Sequence, residues 1–114
     1  MPYIETKTSV PIPPETREIL KTRLGQAIAL LPGKSEQWLM LSFADSQAMY
    51  FQGDGQTPCA FLAVKILGTA DRAAYDILTP ELTGIIHSVL GIPEDRVYVQ
   101  YEETPTWGWN GRNL

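Results

Sequence analysis

The sequence predicts an α+β fold: two pseudo-repeated β-α-β units forming a four-stranded mixed sheet, with two helices on one face. Three observations carry this. Short apolar strand-like stretches alternate with two stretches of helical period. The order of elements in the first half returns 59 residues later, which lays Leu30-Leu31 on Val89-Leu90 and Trp38–Phe43 on Val97–Glu102. The length of 114 residues suits one domain, 1–114.

The first half opens with a strand over Pro2–Thr8, followed by a proline-rich loop, Ser9-Val10-Pro11-Ile12-Pro13. Pro14-Glu15-Thr16 starts a helix, because proline suits its first turn and an acid suits its positive end. Ile19, Leu20, Leu24, Ala27, Ile28 and Leu31 recur at helical spacing and form the expected core stripe. Pro32-Gly33 stops that helix, and Trp38–Phe43 reads as the next strand. In the second half, Cys59–Ile66 is a strand bounded by Pro58 and Gly68. A helix then runs from near Thr69 to Leu90, with Leu78, Leu82, Ile85, Ile86, Val89 and Leu90 inward. Pro80 either kinks it or starts a second segment. Gly91-Ile92-Pro93 ends it, and Arg96–Tyr101 is the closing strand. Each crossover should leave its two strands parallel, but the pairing of the halves stays open.

Alternate strand side chains point to opposite faces. One face collects Ile4, Leu39, Leu41, Phe43, Leu62, Val64, Ile66, Val97, Val99 and Tyr101, which is a core face for the helices. The other holds Tyr3, Trp38, Met40, Phe61, Ala63 and Tyr98 among Glu5, Lys7, Lys65 and Gln100. No helix remains to cover it. A patch of that kind points to a subunit interface, against the alternative of a half-solvated sheet with scattered aromatics.

Composition narrows the chemistry. A net charge of −4 argues against a non-specific nucleic-acid binder. One cysteine and one histidine exclude a disulfide framework and a cysteine-rich or histidine-cluster metal site, so no metal is expected. No apolar run approaches a membrane span, and the N-terminus lacks a signal-peptide pattern. The expectation is a soluble cytoplasmic protein that would be secreted only by a route needing no signal peptide.

Pro2 is the residue with most chemical content. Methionine before a small residue is normally trimmed, which would make Pro2 the terminus and its nitrogen a secondary amine. Burial in an apolar pocket disfavours the ammonium, leaving a neutral amine near pH 7 that can serve as a general base. Lys34 sits in a helix-to-strand turn, where it can hold a carboxylate as a point charge. His87, amid Ile85, Ile86, Val89 and Leu90, reads as structural, and Cys59 as a small buried packing residue. Asp71-Arg72 reads as capping and surface charge, and Gly53-Asp54-Gly55 as a turn.

Five segments stand in a telling order: the Met1-Pro2 start, the Gly33-Lys34 turn, Pro58-Cys59-Ala60, Asp95-Arg96-Val97-Tyr98, and Gly108-Trp109-Asn110. Together they resemble the macrophage migration inhibitory factor family of the tautomerase superfamily, over nearly the whole chain. That resemblance implies a homotrimer whose three sheets surround a central channel. It implies a proton shuttle between carbon and oxygen of a small aromatic keto or enol acid such as phenylpyruvate, or isomerisation of D-dopachrome. By position, Pro2 would be the catalytic base and then acid, and Lys34 would hold the substrate carboxylate. The backbone around Leu67 would help position the substrate. Tyr98 and Gln100 would come from the neighbouring subunit, and Tyr3, Trp38, Trp107 and Trp109 would form the apolar wall. The alternative implied by the same resemblance is a cytokine-like protein that engages a receptor.

The sequence also departs from the family's mammalian members. Trp107 replaces a smaller aliphatic residue and would narrow the pocket. The segment 102–106 is shorter by two residues, and Glu102 and Glu103 bring negative charge expected to weaken binding of anionic substrates. A Cys-Ala-Leu-Cys redox motif is broken, because Leu62 stands at the second cysteine position.

Overall fold

A computed structural model describes all residues, 1–114. The elements run β1 (Pro2–Thr8), α1 (Pro14–Ala27), β2 (Met40–Ala44), β3 (Ala60–Leu67), α2 (Arg72–Leu90) and β4 (Val97–Thr104), then a short hairpin of β5 (Gly108–Trp109) and β6 (Arg112–Asn113). The main sheet has the order β2-β1-β3-β4. β1 lies parallel to β2, and β3 parallel to β4, as the two β-α-β units require. The pairing left open by the sequence is antiparallel and runs through the centre, β1 against β3.

Register follows the alternation of side chains. Ile4 stands beside Leu41 and Val64, and Leu62 beside Val99, all facing the helices. On the opposite face Tyr3 neighbours Met40 and Lys65, Phe61 neighbours Tyr98, and Ala63 neighbours Gln100. The core forms where α1 gives Leu20, Leu24 and Ala27, and α2 gives Leu78, Leu82, Ile85 and Ile86. These meet Ile4, Leu62, Val64 and Ile66. Each of the leucine, isoleucine and valine side chains among them contributes about 1.5–3 kcal/mol by leaving water. No helix covers the other face.

Several elements differ from the sequence expectation, each for a physical reason. Trp38 is not on a strand. Residues Glu36–Trp38 form a 3-10 turn, in which Leu39 N–H donates to the Glu36 carbonyl at 3.1 Å, and β2 begins only at Met40. Ile19 is 52% exposed because it lies about 100° around the helix from Leu20. The last turn of the first helix tightens into a 3-10 segment, Ile28–Leu30. α2 starts at Arg72, and Asp71 occupies its N-cap without a side-chain capping bond. The helix continues through Pro80, which is exposed, so the carbonyl at Asp76 that loses its donor can meet water. Gly91, at φ +71°, ends α2 in the left-handed region and donates to the His87 carbonyl at 2.9 Å. His87 has the structural part expected of it: its Nδ1 lies 2.9 Å from the Ile92 carbonyl.

Arg96 closes the fold at one end of the sheet. It belongs to a 3-10 turn, Glu94–Arg96, rather than to the closing strand, and is only 8% exposed. Its guanidinium donates to the carbonyls of Phe51, Asp54, Thr57 and Pro58 at 3.0–3.1 Å. The loop between β2 and β3 is thereby fastened to the start of β4. Within it, the turn at Asp54 forms as expected, its Oδ1 accepting from Gln56 and Thr57 N–H.

Candidate active site

At the opposite end of the sheet lies the N-terminus. β1 begins at Pro2, which is buried and pairs with Ile66. Leu67 N–H donates to the Met1 carbonyl at 3.1 Å, so the first peptide is tied to the last residue of β3. Lys34 arrives from the other side. Gly33, at φ +78°, turns the chain after the first helix, and Lys34 N–H closes the turn on the Leu31 carbonyl at 3.0 Å. From there Lys34 Nζ donates to the Leu67 carbonyl at 2.9 Å. The sequence named Pro2, Lys34 and the Leu67 backbone separately, and the structure brings them to one corner.

A cleft of about 540 Å³ opens beside Pro2, and neither Lys34 nor Leu67 is among the residues that line it. Pro2 and Tyr3 line it from β1, and Trp38 from the 3-10 turn. Trp107 and Trp109 line it from the C-terminal segment. Trp38 leaves the sheet face expected for it but stays in the wall, where it meets the edge of Trp109 at a centroid distance of 5.2 Å. Trp109 is held by the β5–β6 hairpin, whose turn residues Asn110 and Gly111 have φ of +52° and +77°. Asn-Gly suits a tight hairpin for that reason. Leu114 N–H then donates to the Trp107 carbonyl at 2.8 Å. Tyr3 is steadied by a 2.6 Å hydrogen bond between its hydroxyl and Ser42 Oγ.

The electrostatics shift the Met1 amine, which starts this chain, toward its neutral form. Burial, and then the positive charge of Lys34, hold the amine at the start of the chain below its ordinary value. Lys34 is half-buried and uses one of its three N–H donors on Leu67. The others are available to an anion.

Tyr98 and Gln100 do not join this corner within one chain. Tyr98 pairs with Phe61, five residues along β3 from Ile66, or about 17 Å at strand spacing. It is 56% exposed and packs against Phe51 at 4.9 Å and Phe61 at 6.3 Å. Gln100 is exposed on the uncovered face beside Ala63.

Sequence reasoning missed Gln37 and Leu39, which line the cleft once the 3-10 turn is known. It also misjudged Glu103. That carboxylate is not loose charge over the cleft. Its Oε2 accepts from the Tyr75 hydroxyl at 2.6 Å and from Ala70 N–H at 2.9 Å. These two donors, the hydroxyl first, hold Glu103 below the usual carboxylate range. Glu102 lies on the other face beside Lys65. Cys59 is buried and unpaired, its backbone N–H donating to Ser9 Oγ at 2.9 Å and its carbonyl accepting from Ser9 N–H at 3.1 Å. A second groove of about 470 Å³, between α1 and β2, is lined largely by Arg17, Glu18, Lys21 and Glu36 and contains none of the expected site residues. No three His, Cys, Asp or Glu side chains come together as a metal site, and no helix is long and apolar enough to cross a membrane.

Comparison with known proteins points the same way. The family model described as "Macrophage migration inhibitory factor (MIF)" matches residues 1–114. The macrophage migration inhibitory factor of Meriones unguiculatus is 30% identical over 113 residues, covering 97% of this chain and 96% of that protein. The crystal structure of Leishmania major MIF2 superposes with a TM-score of 0.93 at 32% identity, covering 100% of this chain and 97% of that one. The macrophage migration inhibitory factor homologue from Prochlorococcus marinus gives a TM-score of 0.81 at 30% identity, with 97% of each chain covered.

Proposed function

The chain belongs to the macrophage migration inhibitory factor family, within the tautomerase superfamily, and from that premise we propose that it is a keto-enol tautomerase of the phenylpyruvate or dopachrome type. The observation that carries this reading is the corner where buried Pro2 meets the Lys34 ammonium at the Leu67 carbonyl. Removal of Met1 frees the Pro2 nitrogen as a secondary amine, in the surroundings that already lower the pKa of the chain's amine.

In this reading phenylpyruvate lies in the tryptophan-walled cleft with its carboxylate toward Lys34. The Pro2 nitrogen takes a proton from the methylene carbon beside the carbonyl. The C–H electron pair becomes the new C=C bond, and the carbonyl π pair moves onto oxygen. The prolinium then returns the proton to that oxygen, giving the enol, and the reverse sequence regenerates the keto acid. Lys34 holds the anion in place, and the apolar wall keeps the base neutral. No metal or organic cofactor takes part in this scheme.

The site is completed by assembly. The uncovered sheet face and the exposure of Tyr98 support a homotrimer in which Tyr98 and Gln100 reach the Pro2 corner of a neighbouring copy. Phenylpyruvate conversion, compared between the Pro2-terminal chain and Pro2→Gly, tests the chemistry: a large loss is expected, and equal rates would sink it. Light scattering tests the assembly, with about three chain masses expected and a monomer contradicting it. A second reading, a cytokine-like protein that engages a receptor, rests on membership of the family alone; saturable binding to a receptor ectodomain tests it, and its absence would reject it.

A further inference from the structure

The Lys34 ammonium is only as well placed as its acceptor. That acceptor, the Leu67 carbonyl, is the last of β3, and Gly68 turns away from it immediately at φ +84°. The corner that follows has two ties to β4. One is backbone: Gly68 N–H donates to the Thr104 carbonyl at 2.8 Å. The other is a side chain: Glu103 Oε2 takes Ala70 N–H at 2.9 Å. The same oxygen takes the Tyr75 hydroxyl at 2.6 Å, from the first turn of α2. Tyr75 is braced in turn, its ring stacked on Tyr101 at 4.1 Å, and Tyr101 shares a 2.8 Å hydrogen bond with Thr79. One carboxylate therefore joins β4, the Leu67–Ala70 corner and the start of α2.

We propose that Glu103 is a positioning residue for carboxylate recognition: it fixes the corner on which the Lys34 ammonium is seated. The proposal deepens the tautomerase reading and rests on it for the identity of the anion. It also reverses the sign expected from charge alone. An acidic group near an anionic ligand should repel it, so its removal should tighten binding. A group that holds the lysine's acceptor should weaken binding when removed, and only for ligands that carry the carboxylate.

The test uses the full Pro2-terminal chain, Glu103→Ala and Tyr75→Phe, with phenylpyruvate and its methyl ester as probes. Quenching of tryptophan fluorescence gives Kd without requiring turnover, and steady-state rates give KM and kcat separately. For Glu103→Ala, Kd and KM for phenylpyruvate should rise about three- to tenfold, the range set by an ordinary hydrogen bond, with the ester unaffected and kcat little changed. Tyr75→Phe, which keeps the charge, should move the acid in the same direction by less. Unchanged or tighter acid binding in Glu103→Ala would overturn the proposal, as would equal losses for acid and ester, which mark a structural effect. If Pro2→Gly matches the unsubstituted chain in rate, the proline mechanism fails, while the acid-to-ester Kd ratio still decides the part of Glu103.

Discussion

Each half of the molecule places one cation in its helix-to-strand connection, Lys34 after α1 and Arg96 after α2, and each reaches backbone carbonyls. The outcomes differ. Arg96 is buried and spends its guanidinium on four carbonyls of the 51–58 loop, with Phe51 also lying under it at 5.3 Å. Lys34 is half-buried and has one carbonyl, that of Leu67, at the corner where β1 begins with Pro2. The same location in a repeated plan gives a fastener in one half and, in the proposed reading, a ligand-binding charge in the other. What separates them is the number of donors left over, which depends on side-chain chemistry: a fork of five donors that backbone can satisfy, against a point charge that it does not.

The largest effect that sharpens this contrast belongs to Arg96. Arg96→Ala leaves carbonyls of a partly buried loop unpaired and should cost about 3 kcal/mol or more of stability, read from the urea midpoint. Lys34→Ala should cost under about 1 kcal/mol of stability yet lower kcat/KM for phenylpyruvate about 10- to 100-fold, the loss of one charge-assisted hydrogen bond. Reversed results, with Lys34 essential to stability and Arg96 to turnover, would break the comparison.

A smaller effect lies in pH. Burial first and Lys34 second depress the pKa of the Met1 amine, and the same positive charge would act on a Pro2 amine, so removing Lys34 lets that amine hold its proton to higher pH. The acid limb of the kcat/KM profile should therefore move upward in Lys34→Ala and stay in place in a folded Arg96→Lys chain. The smallest effect concerns Asp54, whose carboxyl is lowered to about 2, first by the Thr57 side chain and then by the Gln56 and Thr57 N–H groups. A depressed carboxyl contributes stability above its unfolded value of about 3.9 and loses it as pH falls through the folded one. Urea midpoints should show this component between about pH 4 and pH 2, and Asp54→Asn should lack it.

The two halves were legible in the sequence because strand parity and helical spacing are periodic signals. Register therefore follows for Ile4, Leu41, Val64 and Val99, and Leu78, Leu82, Ile85 and Ile86 face inward as their spacing requires. What escaped were aperiodic features. Trp38 left its strand because a single 3-10 turn interrupts the alternation. Arg96 and Glu103 act through backbone carbonyls and N–H groups, whose positions no side-chain pattern encodes. Pro2 and Lys34 were legible as chemistry, one for its amine and one for its charge. Their meeting at Leu67 needed the antiparallel β1–β3 pairing, which the sequence left open.

In the proposed mechanism the proton transfer belongs to a free secondary amine at Pro2. It is tested most directly by phenylpyruvate turnover in two mass-verified forms of the chain, one beginning at Pro2 and one retaining Met1. The Pro2-terminal form should be faster by a factor on the order of 10² or more, because an amide nitrogen has no basic lone pair to offer. Equal turnover by the two forms would contradict the account.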